Sequence, residues 1–288
     1  MRILHTSDWH IGRQFHGVSL LEDQKHILKE IIEILKDKNV DVLVIAGDIY
    51  DRSIPPTSAV EVLDLFFNTV SDELKIPVVL IAGNHDSAAR LGFGSKHMSR
   101  NNLHIVGPLK KDISKVVLQD EHGDVSFYGL PYVEPSIVKD VFDIEIKDHN
   151  EAMEFLTNKI KDDLSGKERT VVLSHCFIDG AEPCESERPL SIGGADRVSY
   201  KHFEDFSYTA LGHLHGRQFK GVEQIRYSGS ILKYSFSEEN HKKSVIIVDL
   251  NKEGQVEIEQ IELSPLREMR SITDDLQNII DNAKNDIN

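Results

Sequence analysis

The chain has 288 residues, 40% of them apolar and 28% charged, which suits a soluble globular protein able to bury a sizeable core. With 33 Lys and Arg against 48 Asp and Glu, the net charge of −15 excludes a protein that holds nucleic acid by bulk attraction alone. The apolar runs, 42–46 and 78–82 among them, are far shorter than the roughly 20 residues of a spanning helix. The first residues lack a signal-peptide layout and two cysteines are too few for a disulfide framework, so a cytoplasmic protein with no membrane contact is expected.

In chain order, 2–7 reads as a strand and 22–38 as a helix with Ile27, Leu28, Ile31, Ile32 and Leu35 on its apolar face. A buried strand at 41–46, a helix at 57–70, a strand at 76–82 and helical sequence at 87–99 follow. That alternation predicts parallel strands covered by helices. The helix at 57–70 carries more apolar surface than one core face uses; core burial is the default reading and a subunit interface the alternative. The middle changes character: short strands at 116–118 and 125–129, an acidic stretch over 134–154, a helix capped by Asn150 and running to 164, then a buried strand at 170–174. Strands are expected at 208–211, 224–227, 244–250 and 256–263, and an amphipathic helix with no core of its own at 272–283. A βα half followed by a β-rich half predicts a layered α/β sandwich.

Polar residues gather just past the strand ends: Asp8 and His10, Asp48, Asn84 and His85, His175, then His213 and His215. At the carboxyl edges of α/β sheets such residues converge on ligands, and Gly47, Gly83 and Gly212 permit tight turns there. In an extended segment residues i and i+2 point the same way, so Asp8 and His10 are expected to share one ion. Imidazoles, carboxylates and one amide suit Mn, Fe, Zn or Co better than Ca. Seven donors (Asp8, His10, Asp48, Asn84, His175, His213, His215) are too many for one tetrahedral ion but suit two ions sharing a carboxylate. Two such ions roughly 3.5–4 Å apart clamp the attacking and leaving oxygens of a phosphoryl displacement, and their excess positive charge would draw phosphate to an acidic chain. His5, His16, His26, His97, His104, His122, His202 and His241 read as packing or surface residues. Cys176 reads as a buried thiol, and Lys96, His97 and Arg100 as a solvated helix face.

Asp8-Trp9-His10, Gly47-Asp48-Ile49-Tyr50-Asp51, Gly83-Asn84-His85-Asp86, Ser174-His175 and Gly212-His213-Leu214-His215 resemble the five motifs of calcineurin-like metallophosphoesterases. Ser186-Glu187-Arg188-Pro189-Leu190 and Tyr227-Ser228-Gly229-Ser230, followed by Tyr234-Ser235-Phe236-Ser237-Glu238, are similar to the SbcD family of nuclease subunits. The resemblance implies a four-layer α/β/β/α sandwich of two mixed sheets and Mn-dependent cleavage of double-stranded DNA, as a 3′→5′ exonuclease and an endonuclease. It also implies a homodimer and work beside the SbcC ATPase subunit. By motif position Asp8, His10 and His215 would hold one metal and Asn84, His175 and His213 the other, with Asp48 bridging. His85 would face the leaving oxygen, and the Asp51 carboxylate would keep it protonated. Asp51 and Arg52 also resemble the phosphoprotein phosphatases, where the Asp orients the His and the Arg grips phosphate; a small-substrate phosphatase or phosphodiesterase is the alternative. Family members usually continue past residue 288 into a DNA-gripping cap, so 1–265 reads as the nuclease domain and 266–288 as linker and the start of that cap region.

Overall fold

In the computed structural model, which describes residues 1–166, 168–187 and 196–283, two six-stranded mixed sheets pack face to face. The first runs in the order Val256–Glu262, Ser244–Leu250, Arg2–Thr6, Val42–Ile45, Val78–Ile81, Leu103–Val106; its last four strands are parallel and its first two antiparallel. The second runs Gln218–Lys220, Val222–Tyr227, Tyr208–Gly212, Arg169–His175, Gly123–Leu130, Lys115–Asp120, with four parallel strands between two antiparallel edges.

Alternation along the strands builds the layers. In the first sheet Ile3, Val42, Val44 and Val79 face Phe127, Val171, Leu173 and Ala210 of the second. Their neighbours Leu4, Leu43, Ile45 and Leu80 turn outward against the helices Leu21–Asp37 and Thr57–Phe67. On the far side Tyr128, Val172 and Leu211 pack against the helices Pro135–Phe142 and His149–Asp163. The result is the expected four-layer α/β/β/α sandwich of two mixed sheets.

Several local readings are corrected. The helix at 57–70 ends at Phe67 and continues as a π-helical turn over Asn68–Glu73. Helical sequence at 87–99 is split into Ala88–Leu91 and Ser95–Met98, because Gly92 stops the first piece and Gly94, at φ +72°, starts the second. The acidic stretch contains the helix Pro135–Phe142, with proline at its first turn. Asp148, not Asn150, caps the next helix by accepting from the Glu151 N–H at 2.9 Å; the Asn150 side-chain Oδ1 instead accepts from Ser199 N at 2.9 Å. The edge strands Leu103–Val106 and Gln218–Lys220 add to the expected set. After residue 265 the chain stays on the body, through Arg267 on Asp23 and Glu268 on Lys233 (2.6 Å), before the exposed helix Leu276–Ala283. No helix among the described residues is long and apolar enough to cross a membrane.

Candidate metal centre

All seven candidate donors sit at the carboxyl ends of parallel strands, three of them from the second sheet and four from the first. Asp8 and His10 follow Arg2–Thr6, Asp48 follows Val42–Ile45 and Asn84 follows Val78–Ile81. His175 ends Arg169–His175, and His213 and His215 follow Tyr208–Gly212. Contrary to expectation, the Asp8–His10 segment is not extended. Both residues take left-handed backbone, φ +53° and +47°, as do Asp48 at +51° and His213 at +105°. Such conformations cost on the order of 1–3 kcal/mol each and persist only where the surroundings over-determine them.

Those surroundings are visible. The loops after the first two strands run side by side, with His10 N–H on Asp48 O at 2.9 Å and Ile11 N–H on Ile49 O at 3.0 Å. The buried Gln24 amide donates to the His10 carbonyl at 2.8 Å and accepts from Gly12 N at 3.0 Å, and Tyr234 donates to the Trp9 carbonyl at 2.5 Å. The Asp86 carboxylate accepts from the N–H groups of Ile49, Tyr50 and Gly83 at 2.9–3.0 Å, tying two loops together. Glycine serves close approach here: a Cβ on Gly83 would lie 2.2 Å from Asp48 Oδ1, and one on Gly212 1.8 Å from the Ala46 carbonyl.

The side chains meet in overlapping groups, Asp8–His10–His215 and Asp8–Asp48–His175, each with donor atoms within 4.8 Å of one another. Asp48 lies between the groups, its Oδ2 3.6 Å from both His10 Nε2 and His175 Nε2. Asn84 Oδ1 lies 2.8 Å from His175 Nε2 and 3.3 Å from His213 Nδ1, which adds both residues to the His175 side.

The hydrogen-bond pattern fits cations. His175 donates its Nδ1–H to the Ala46 carbonyl at 2.8 Å, so the neutral ring turns a bare Nε2 toward Asn84 Oδ1 and Asp48 Oδ2. His10 Nε2 faces His215 Nε2 at 3.1 Å, and His10 Nδ1 is buried without a hydrogen bond. Burial holds His10 and His213 well below the usual histidine range and His215 down to about 4, so these rings are neutral and each keeps one bare nitrogen to offer a cation. Burial, with the Asp48 carboxylate nearby, also pushes the Asp8 carboxyl up to about 8. Acceptors that face acceptors in a dry site, at nitrogen and oxygen, suit divalent ions.

His85 stands beside this cluster, its ring centroid 4.6 Å from that of His10. Its Nδ1 bonds to the backbone carbonyl of Asp51 at 2.8 Å, whereas the Asp51 carboxylate pairs with Arg13 at 3.0 Å and lies 3.9 Å from His10 Nδ1. The expected link from the Asp51 carboxylate to His85 is thus at least shared with the main chain. Arg52 is 60% exposed, 3.7 Å from Asp51 Oδ2.

Sequence reasoning assigned no role to the residues behind His215. Ser186 Oγ lies 2.7 Å from His215 Nδ1, Glu238 is fully buried within 3.4 Å of the same atom, and Lys243 Nζ meets Glu238 at 2.5 Å. The Glu187 carboxylate accepts from His215 N at 2.6 Å. Ser186, Glu187 and Glu238 belong to the two SbcD-like motifs, which do not tell what these residues touch, and Lys243 carried no signal; Arg188, Pro189 and Leu190 of the first motif lie outside the described residues. Cys176 is a buried thiol, as expected, raised to about 12 by burial.

The model of the calcineurin-like phosphoesterase family matches residues 1–217, ending just past His215 and so containing every clustered donor. The SbcD subunit of the nuclease SbcCD from Staphylococcus epidermidis is 36% identical over 281 residues, covering 97% of this chain and 74% of that one. Among solved structures, a dimetal phosphatase from Danio rerio aligns over 92% of this chain and 99% of its own, with a TM-score of 0.50 at 13% identity, a likeness of fold alone. The chain belongs to the calcineurin-like phosphoesterases and, within them, to the SbcD group.

Proposed function

We propose that the protein is a DNA phosphodiesterase that works with two divalent cations, Mn being the best match to its mixed N/O donors, as a double-strand 3′→5′ exonuclease and an endonuclease acting on hairpins or blocked ends in repair and recombination. The observation that carries this reading is the 36% identity to a nuclease subunit along nearly the whole chain, together with a family match that spans the donor cluster. Asp8, His10 and His215 would hold one cation, Asn84, His175 and His213 the other, and Asp48 both; its Oδ2 is equidistant from the two groups. When bound, the cations would activate water and neutralise phosphate oxygens.

The chain's own residues do the rest. Asp48 also accepts from the His85 N–H at 2.8 Å, so the bridging carboxylate and the proton-donating residue are held in one unit. The bond from His85 Nδ1 to the Asp51 carbonyl fixes the ring and leaves Nε2 to protonate the leaving sugar oxygen. Arg13 neutralises the Asp51 carboxylate, and the exposed Arg52 can swing toward phosphate. The SbcC ATPase subunit would be the partner, in the cytoplasm beside the nucleoid. Exposed Ile54, Val60 and Leu65 on and before the helix Thr57–Phe67 support a homodimer. Residues 1–265 would form the nuclease domain and 266–288 lead toward a cap.

The test is hydrolysis of a labelled duplex in Mn, with bis-p-nitrophenyl phosphate and a phosphomonoester alongside, for the wild type and His85→Ala. Duplex degradation that needs both Mn and His85 is expected. Monoester hydrolysis alone would instead establish the small-substrate alternative.

A further inference from the structure

We infer that Ser186 and Glu238, backed by Lys243, are positioning residues that fix which nitrogen of His215 carries its proton. The inference rests on the two-cation reading of the site and extends it to residues that touch neither substrate nor cation. His215 can offer Nε2 to a cation only if its proton is on Nδ1. Nδ1 lies 2.7 Å from Ser186 Oγ, and a hydroxyl can accept that proton or donate its own. What decides between the two is the next group along.

Ser186 Oγ is also hydrogen-bonded to Glu238 Oε1, and an ionised carboxylate can only accept. The serine proton must therefore point at Glu238, which leaves an oxygen lone pair facing His215. The imidazole is forced to donate from Nδ1, and Nε2 is bare on the side of His10 and Asp8. Glu238 is fully buried, and the groups around it hold it ionised: Lys243 Nζ at 2.5 Å on Oε2, and Tyr234 N at 3.2 Å on Oε1. Lys243 in turn donates to the His215 carbonyl and Ser230 Oγ, both at 2.9 Å, so its three protons are all placed. The direction of every hydrogen bond from Lys243 through Glu238 and Ser186 to His215 follows from one buried positive charge. A carboxylate behind a ligating histidine is a general means of raising ligand basicity, and losing such a partner typically weakens metal binding about 10–100-fold. Here the serine transmits orientation because it has one proton and the carboxylate claims it, and Glu238 Oε1, itself 3.4 Å from His215 Nδ1, faces the same nitrogen as an acceptor.

The experiment is a Mn titration of metal-stripped full-length protein, counting equivalents and affinities by electron paramagnetic resonance, with melting temperatures recorded in parallel. The wild type should bind two equivalents. Ser186→Ala and Glu238→Gln should each weaken one equivalent about 10–100-fold and spare the other, and the double variant should lose no more than the worse single one. Because Glu238→Gln strands a buried charge on Lys243, Glu238→Gln with Lys243→Met separates folding from orientation. It should recover melting temperature while the weak equivalent stays weak. Recovery of metal affinity along with stability would show that Glu238 merely partners Lys243, and two wild-type equivalents in Ser186→Ala would overturn the relay. A wild-type protein that binds no Mn would instead defeat the two-cation reading itself.

Discussion

The two sheets contribute to the centre unequally. The first supplies the clustered carboxylates Asp8, Asp48 and Asp51, the amide of Asn84 and the proposed acid His85; the second supplies the imidazoles His175, His213 and His215. Three of the four left-handed donors, Asp8, His10 and Asp48, also belong to the first sheet. The anionic half is thus strained and tied by many backbone bonds, whereas the neutral half comes straight off strand ends. Neither half alone holds all the donors assigned to either cation, so the site exists only where the sheets are packed together. Each side of that seam buries carboxylates, Asp8 and Asp48 among the donors of the first sheet and Glu238 behind His215 of the second, where Lys243 pairs it.

Removing the shared anion should break the comparison most severely. Asp48→Ala is expected to empty both cation positions and lower hydrolysis at least about a thousandfold, several kcal/mol of charge stabilisation. Metal analysis of the variant checks this, and two retained equivalents would remove Asp48 from the bridge. His85→Ala should leave both equivalents bound yet slow turnover by about 10²–10⁴-fold. Metal loss in that variant would contradict its role as acid.

Gly83→Ala probes the crowding of the first sheet's loops. Its Cβ would fall on Asp48 Oδ1 and Asp48 N, 2.2 and 2.3 Å away, so a destabilisation of about 1–3 kcal/mol is expected in denaturant melts. Wild-type stability would mean the loops yield easily.

In metal-free protein the buried histidines and the buried acids should respond oppositely to pH. Burial lowers His215 from 6.5 to about 4, so the unfolded state takes up the proton first and stability rises as pH climbs through that window. Asp8, raised from 3.8 to about 8, does the reverse: the folded state keeps a proton that the unfolded state has lost, and stability falls as pH rises through that interval. Glu187, pushed up from 4.5 to about 7 by burial, acts in the same sense as Asp8 over a narrower range that ends at lower pH. Between about pH 7 and 8 Asp8 should dominate, and the melting temperature should decline. Asp8→Asn should flatten that decline and added Mn should oppose it; an unchanged slope in Asp8→Asn would assign it elsewhere. The smallest effect lies outside the seam. Leu65→Ser, on the exposed helix face, should shift stability by no more than about 0.5 kcal/mol while sedimentation changes from dimer to monomer.

Much of this was legible in the chain. Apolar runs located most of the strands in the two sheets, because strands buried on both faces are dense in Val, Ile and Leu. The donors stood out because they follow those runs at once. Leu103–Val106 escaped because it is a short, half-buried edge strand whose run is broken by His104, and the helix Pro135–Phe142 was hidden by its charged surroundings. Asp148 and Asn150 are both good caps by type, and only the fold gave Asn150 another partner, Ser199.

Residue type and order determined the candidate donor set and the α/β layering, since those follow from local pattern and from what nitrogen and oxygen ligands can bind; the family and the count of four layers came with the motif resemblance. Tertiary structure alone decided the left-handed backbone that aims Asp8 and His10, and the main-chain anchor of His85. It also decided the Lys243–Glu238–Ser186 chain behind His215. These depend on groups as far apart as Asp8 and His213, or Ser186 and Glu238, and their distances are set by sheet packing and by desolvation, which no local pattern encodes.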